Sequence, residues 1–373
     1  MKQPSSHQIP QDMRLRGSSP IQNVSEYIGR VNQYLQIYPG NVPVYRGEPR
    51  IYEKPCVPNL YRGNLLGENR FFEKSLFDAM RQNRLTKEFR YLDNAIDAQH
   101  GEFPSRLLDV SYNCLTALYF AVTPYYHKEE TLYDEEDGAV YILFVDEMFS
   151  PSGKNTNEYY DAIINHDPPW IDQMLFEKNH KFIDHAKMSD RIIAQQGAFI
   201  LFQGNCLEEL PQYMYCGITI SGGQKPQIRR ELKQLFGIHT GSIYPETVNL
   251  VEEMKGKSRF LNTESFSMGN ELNYVLKQLE KELDYYLDYA VSQSRAGAPN
   301  MEIIMIHIEK IVNSYRRGLI KLHYNTPADA AQEDRAVLER AKKQYCQLVK
   351  TFSESVEEYK IGPFSGEQLQ ELW

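Results

Sequence analysis

Gln99-His100-Gly101-Glu102-Phe103-Pro104-Ser105-Arg106-Leu107-Leu108-Asp109, followed by Asn113 and then by Ala117-Leu118-Tyr119-Phe120-Ala121, is the most distinctive stretch of this 373-residue chain. A histidine, an arginine and an acid fall close together between glycine and proline turn signals, and the segment then runs into an apolar helix. Polar side chains on a loop held by a rigid support are a common way to build a binding site. The residues also allow a plainer arrangement, in which Asp109 caps the following helix and Arg106 pairs with it. The two arrangements are compatible.

Upstream, a helix is expected over residues 23–37, with Ile28, Val31, Tyr34 and Leu35 on one face and Pro39-Gly40 as its stop. A short strand over 43–47 follows. Residues 71–84, 86–98 and 113–122 read as helices. Downstream, 139–145 is a continuous apolar strand, 192–202 contains a strand whose clearest part is 198–202, 215–220 is a third, and 226–236 returns to helix. Short strands and helices mixed in this order predict an α+β domain. From about Ser265 the pattern changes. Leu272, Leu276, Leu279, Leu283 and Leu287 recur at helical spacing, as do Ile304, Ile308, Ile311, Tyr315, Leu319 and Leu322. Thr326-Pro327 reads as the start of a third helix, carrying Val337, Ala341, Tyr345, Leu348, Phe352 and Val356. A C-terminal helical bundle is the expectation. Such a bundle either packs on the first domain or offers a docking surface for a partner. The resulting division is a disordered or loosely attached leader over 1–22, an α+β domain over 23–255 and a helical domain over 265–373.

Composition narrows the function classes. Hydrophobic residues make up 42% of the chain, enough to fill a core, and the net charge is −9. A broad non-specific grip on nucleic acid needs a basic face, which this balance disfavours. The five cysteines are odd in number and contain no C-x-x-C pair. Neither a disulfide framework nor a structural zinc site is expected. No apolar run reaches the roughly 18–20 residues that span a bilayer, and the first 20 residues lack a signal peptide's apolar core. A cytoplasmic protein without membrane contact is the expectation.

Two further motifs carry polar chemistry. Val44-Tyr45-Arg46-Gly47 puts a guanidinium at a strand end beside a glycine that could admit a ligand. A second copy, Tyr61-Arg62-Gly63, shows how easily the tripeptide arises. Arg191-Ile192-Ile193-Ala194-Gln195-Gln196-Gly197-Ala198-Phe199 brings two amides to the entrance of a strand, where they could bond a sugar or a base edge. His166, His180 and His185 share a region with Asp167, Asp172 and Asp184, but their spacing matches no metal motif, and no metal is expected. No phosphate-binding P-loop, nucleophile elbow or dinucleotide fingerprint is present; Gly222-Gly223 before Lys225 reads as a turn, with Lys225 free to line a groove.

Taken in order, the three motifs resemble the FRG domain family: an opening Y-R-G, then H-G-x-x-P-[ST]-R-L-L-D, then A-L-Y-F-A, then R-x-x-x-Q-x-G-x-F. The resemblance covers roughly residues 40–250 and continues through Lys225, Ile228, Glu231-Leu232, Gly237-Ile238 and Tyr244-Pro245. A weaker resemblance is to ADP-ribosyltransferases. It implies a split-sheet core with surrounding helices and NAD as the substrate. It implies that Arg46 contacts the cofactor, with Tyr45 and Gly47 beside it. Arg106, Ser111, Tyr119 and Gln196 complete the cofactor-binding set. The catalytic set would be Arg46, Asp109, His100 and Gln195. Where those enzymes carry a glutamate this chain has glutamine, which cannot act as a base; Asp109 and His100 are the substitutes nearest in sequence.

The reading that follows is a toxin or antiphage-defence effector that transfers ADP-ribose from NAD to a nucleic acid or a protein. An antitoxin or regulator would bind the C-terminal helices. One alternative is a non-catalytic sensor of a nucleotide or phage component. Another is a nuclease or NAD glycohydrolase built on Arg46, His100, Arg106 and Asp109.

Overall fold

The computed structural model describes residues 19–86, 90–100, 103–124, 131–184, 189–297, 301–327 and 332–364. The chain divides into two compact units, Met1–Arg259 and Phe260–Trp373. The first is α+β and the second is helical.

Six strands form the sheet of the first unit: β1 (Val42–Glu48), β2 (Leu107–Ser111), β3 (Gly138–Val145), β4 (Lys181–Ile183), β5 (Gly197–Leu201) and β6 (Tyr215–Ile220). Their order is β4-β5-β2-β1-β3-β6, and every neighbouring pair is antiparallel. The pairing is uneven. β1 runs along β3 from Val42↔Val145 to Glu48↔Ala139, and β2 runs along β5 from Leu107↔Leu201 to Ser111↔Gly197. Between β1 and β2, however, the register is the single pair Tyr45↔Ser111. The six strands form one sheet whose β4-β5-β2 and β1-β3-β6 halves meet at a single bridged pair, called the hinge below.

β3 is buried along its whole length because both of its faces are covered. Val140, Ile142 and Phe144 pack with Tyr45 and with the helices Val24–Leu35, Cys114–Val122 and Lys225–Phe236. Ala139, Tyr141, Leu143 and Val145 pack on the other face with Val44, Cys56, Leu108, Val110, Ile200 and Phe202. That explains why this segment reads as an unbroken apolar run rather than an alternating one. A third cluster packs Phe77, Met80, Leu92 and Ile96 with Leu107, Phe199 and Leu201 beneath the β2–β5 half.

The Cys114–Val122 helix lies directly on β1. A Cβ at Gly47 would overlap the Ala117 carbonyl oxygen and stand 2.7 Å from the Ala121 nitrogen. The Ala-rich helix face and the glycine match each other, and any larger residue would force the helix off the sheet. The glycine expected to admit a ligand thus admits a helix.

Several local expectations are corrected. Residues 107–111 form a strand, not a loop, because Leu107, Leu108 and Val110 have buried faces on both sides to fill. Asn113, not Asp109, caps the helix that follows, its side chain accepting from the Leu115 and Thr116 N–H groups. The start of 192–202 is helical: Asp190–Gln195 is a short helix capped by Ser189, and the chain reverses at Gln196 with φ of +48° before β5 begins. The leader expected over 1–22 overlaps the fold at its end. Ile21 is buried, bridges to Ile220 and donates its N–H to the Thr219 carbonyl at 2.9 Å, covering the outer edge of β6. Residues 1–18 lie outside the described residues.

In the second unit, the helices Met268–Arg295, Met301–Asn325 and Gln332–Tyr359 bury Leu276, Leu279, Ile308, Val312, Tyr345 and Val349 in one core. Thr326 closes the second of these helices, its hydroxyl donating back to the Leu322 carbonyl at 2.8 Å; residues 328–331, through which the expected start of the third helix runs, lie outside the described residues. No described helix is long and apolar enough to cross a membrane.

Gly47→Ala tests the helix-on-strand contact. Backbone has to move to admit the methyl group, so a loss of about 3 kcal/mol is expected. Urea denaturation measures it, and an unchanged midpoint would show that the helix has room to retreat.

Candidate functional site

Beyond the hinge at Tyr45 and Ser111, β1 peels away from β2, and Arg46 stands where the ladder stops. Arg106 O and Tyr112 N both bond toward β5, accepting from Phe202 N and donating to Gln196 O. By alternation the Asp109 carbonyl points the other way, toward β1. Arg46 Nη1 donates to that carbonyl at 2.7 Å. A side chain thus satisfies an acceptor that the parted backbone no longer reaches. The Arg46 side chain keeps 23% of its surface exposed.

Around the hinge the expected residues form a connected chain. Tyr45 lies opposite Ser111, and the buried Ser111 hydroxyl donates to the Gln195 carbonyl at 2.6 Å while accepting from Asn113 N. The Gln195 amide donates to Ile243 O at 3.3 Å. Tyr119 is buried, shares a 2.9 Å hydrogen bond with Thr240 and meets the Tyr244 ring edge-on. Arg191, one helical turn before Gln195, lies over the same Tyr244 ring at 4.6 Å and 3.8 Å from Glu246. Burial and nearby Cys114 push the Tyr45 phenol up to about 12, so it stays protonated at neutral pH.

Two expectations fail here. Asp109 does not turn its carboxylate toward Arg46. It lies between Leu108 and Val110, whose side chains share the face that Arg46 occupies, so its own side chain leaves on the opposite, exposed face. Arg106 does not face a ligand. It is 1% exposed. Its Nε is 2.5 Å from Glu73 Oε2, its backbone N–H donates to Glu73 Oε1, and Nη1 donates to Gln203 O at 2.6 Å. Tyr160 donates to the same carboxylate at 3.0 Å. This network ties the Phe72–Gln82 helix to β2 and to the chain after β5. Gln196 is exposed, with its carbonyl accepting from Tyr112 N. The side chain of His100 lies outside the described residues.

Residues 41–130 match the FRG domain family model. No curated protein and no solved structure matches the chain. The FRG match contains Tyr45, Arg46, Gly47, Arg106, Asp109, Ser111 and Tyr119, whereas Gln195 and Gln196 lie beyond it.

The FRG match also contains a residue that the motifs alone did not single out. Glu48 shares its strand face with Arg46. It is 1% exposed, and its Oε1 accepts from Cys56 N at 3.1 Å and from Arg62 Nη2 at 3.2 Å, with Arg46 Nε at 3.6 Å. The two Tyr-Arg-Gly copies, far apart in appearance, converge on this one carboxylate. A charged residue directly after an apolar strand and a repeated tripeptide were the available signals. Arg62 also lies 4.1 Å from the centroid of the Tyr52 ring, and Arg50 lies 4.8 Å from it.

Lys225 does not line a groove. It is buried, and its ammonium donates to Pro49 O at 2.6 Å and Tyr133 O at 2.5 Å, pinning the end of β1. Burial pushes it down to about 8, against the opposing pull of Asp134 and Glu136. His166 faces Asp172 and the Arg70 carbonyl. Among the described residues no cluster of histidine, cysteine and acidic side chains could hold a metal.

Arg106→Met should cost about 3–5 kcal/mol, because it strands the buried Glu73 carboxylate; the shift in urea midpoint reports it, and a loss below about 1 kcal/mol would mean that the carboxylate finds water. Lys225 predicts a pH dependence. Its folded value of about 8 lies below the roughly 10.4 of an unfolded lysine. Between those values the unfolded chain holds a proton that the folded chain has released, so stability rises with pH across that window. Relative to Lys225→Met, the wild type should gain up to about 3 kcal/mol from pH 7.5 to 10. A constant difference would place the lysine's titration outside the window.

Proposed function

We propose that the seam between the two half-sheets binds NAD and that the protein transfers ADP-ribose to a macromolecular target. The observation that carries the reading is the parting of the sheet at Tyr45↔Ser111 with the Arg46 guanidinium at its mouth. A guanidinium fixed at a strand terminus suits a diphosphate, since its planar fork matches two oxygens at once. Ser111, Gln195 and Tyr119 stand around the same hinge on the sheet face opposite the Arg46 side chain, and the resemblance to ADP-ribosyltransferases implies that they would meet the nicotinamide ribose and ring of an NAD molecule that crosses the seam. In the reaction the bond between the nicotinamide nitrogen and the anomeric carbon breaks, and its electron pair leaves on nicotinamide. The target's nucleophile bonds to that carbon, and its proton passes to solvent. A toxin or antiphage-defence setting is what the FRG resemblance suggests, with the C-terminal bundle available to an antitoxin or regulator.

One observation favours a second reading, a nucleotide sensor without turnover. In the resemblance Gln195 and Gln196 take the place of the catalytic glutamate, and the Gln195 amide donates to Ile243 O. A positioned base commonly contributes about 10²–10⁴-fold in rate, which an amide cannot supply.

Incubation with NAD labelled on its adenine half and a cell lysate separates the readings. Transfer is expected to label a macromolecule, and Arg46→Ala should reduce that label by about 100-fold or more, as for loss of a charge-stabilising group. Nicotinamide release without labelled macromolecule identifies a glycohydrolase. Saturable NAD binding with no release identifies a sensor, and undiminished labelling by Arg46→Ala removes the seam from the reaction.

A further inference from the structure

Glu48 is the least expected charge in the molecule. Its carboxylate is almost wholly enclosed, and while Oε1 is held by Cys56 N and the two arginines, Oε2 has no hydrogen-bond partner among the described residues. Arg46 Nε is likewise buried and, among the described residues, without a hydrogen bond. A buried acceptor left unbonded is costly, more so when charged, so such atoms are rare unless something uses them. Here an unbonded acceptor and an unbonded donor stand side by side on one strand face, two residues apart.

The surroundings specify what they would take. The free oxygen requires a donor such as a hydroxyl. Two guanidiniums flank it, with 23% and 28% of their side chains exposed, and two positive groups against one carboxylate leave the cluster net positive in a chain of net charge −9. Each guanidinium can turn outward and exchange its present contacts for phosphate oxygens. Arg62 already stacks on Tyr52, which would steady it there. A hydroxyl beside two phosphates is the chemistry of a nucleoside diphosphate.

We propose that Arg46, Glu48 and Arg62 form the subsite for the ADP moiety, with Glu48 accepting a ribose hydroxyl and the two arginines taking the diphosphate. The assignment rests on the reading of the seam as a nucleotide site. It moves phosphate recognition from Arg106, which is locked on Glu73, to Arg62, the arginine of the second tripeptide.

Calorimetric titration of the full chain with ADP and with 2′,3′-dideoxy-ADP tests it. Wild type should bind ADP, and dideoxy-ADP about 10-fold more weakly, the worth of one charge-assisted hydrogen bond. Arg62→Met should weaken both ligands by about 10-fold while keeping the ratio between them. Glu48→Gln should weaken ADP and shrink the discrimination between the two ligands, a change that a purely structural role would not produce. If Glu48→Gln does not fold, the Arg62→Met titrations and the wild-type ratio still decide. Equal affinity for both ligands, unchanged binding by Arg62→Met, or no ADP binding by the wild type overturns the subsite. NAD consumption that depends on Arg46 but is indifferent to Glu48 and Arg62 overturns the subsite and leaves the seam reading standing. Binding of ADP as predicted with no NAD consumption sustains the subsite and overturns the transfer reading.

Discussion

β1 and β2 touch at Tyr45 and Ser111 and then part, and the arrangement of the first unit follows from how that parting is tolerated. Two neighbouring strands that separate leave donors and acceptors without their ladder partners, which is costly inside a protein. Arg46 answers one of these by reaching across to the Asp109 carbonyl. Gly47 lets the Cys114–Val122 helix lie close enough to hold β1 in place from the other face. The Arg106–Glu73 network holds the opposite half. The helix contact at Gly47 and the buried Arg106–Glu73 network hold the two halves in place, while the bond from the partly exposed Arg46 is the one support that a ligand could replace.

The same supports decide which residues are available for chemistry. A buried guanidinium with a short ion pair, a backbone carbonyl partner and a tyrosine donating to its carboxylate is committed to the fold, and the free-energy cost of disengaging it is large. Arg106 belongs to that group. Arg46 and Arg62 do not: each keeps part of its surface, and each leans on a carboxylate that retains an unbonded oxygen. Three arginines of similar appearance in the sequence therefore divide into one structural and two exchangeable members. Burial makes that division, not residue type.

The hinge also explains why the amides at 195 and 196 matter less as a catalytic pair than their motif suggests. The short helix Asp190–Gln195 ends there, and the left-handed Gln196 turns the chain into β5. The Gln195 carbonyl receives Ser111, and the Gln195 side chain meets Ile243 O. These bonds fix β5 against the end of β2, so the motif R-x-x-x-Q-x-G-x-F has a structural duty in addition to any ligand contact.

Much of the fold was legible in the sequence because it depends on local pattern. The continuous apolar run of β3 and the helical leucine spacing of the bundle both follow from periodicity, whereas the cap of the Cys114–Val122 helix fell to Asn113 rather than to Asp109 because 107–111 had become strand. The Y-R-G motif and the resemblance to FRG domains were also visible there. What the sequence could not contain was which groups, distant along the chain, would satisfy one another. Glu73 meeting Arg106, Glu48 collecting both arginines of the repeated tripeptide, and the Asp109 side chain turning away from Arg46 are outcomes of strand alternation, helix placement and burial. A charged side chain takes the partner that lies within about 3–4 Å once water is excluded. Only the folded chain sets those distances.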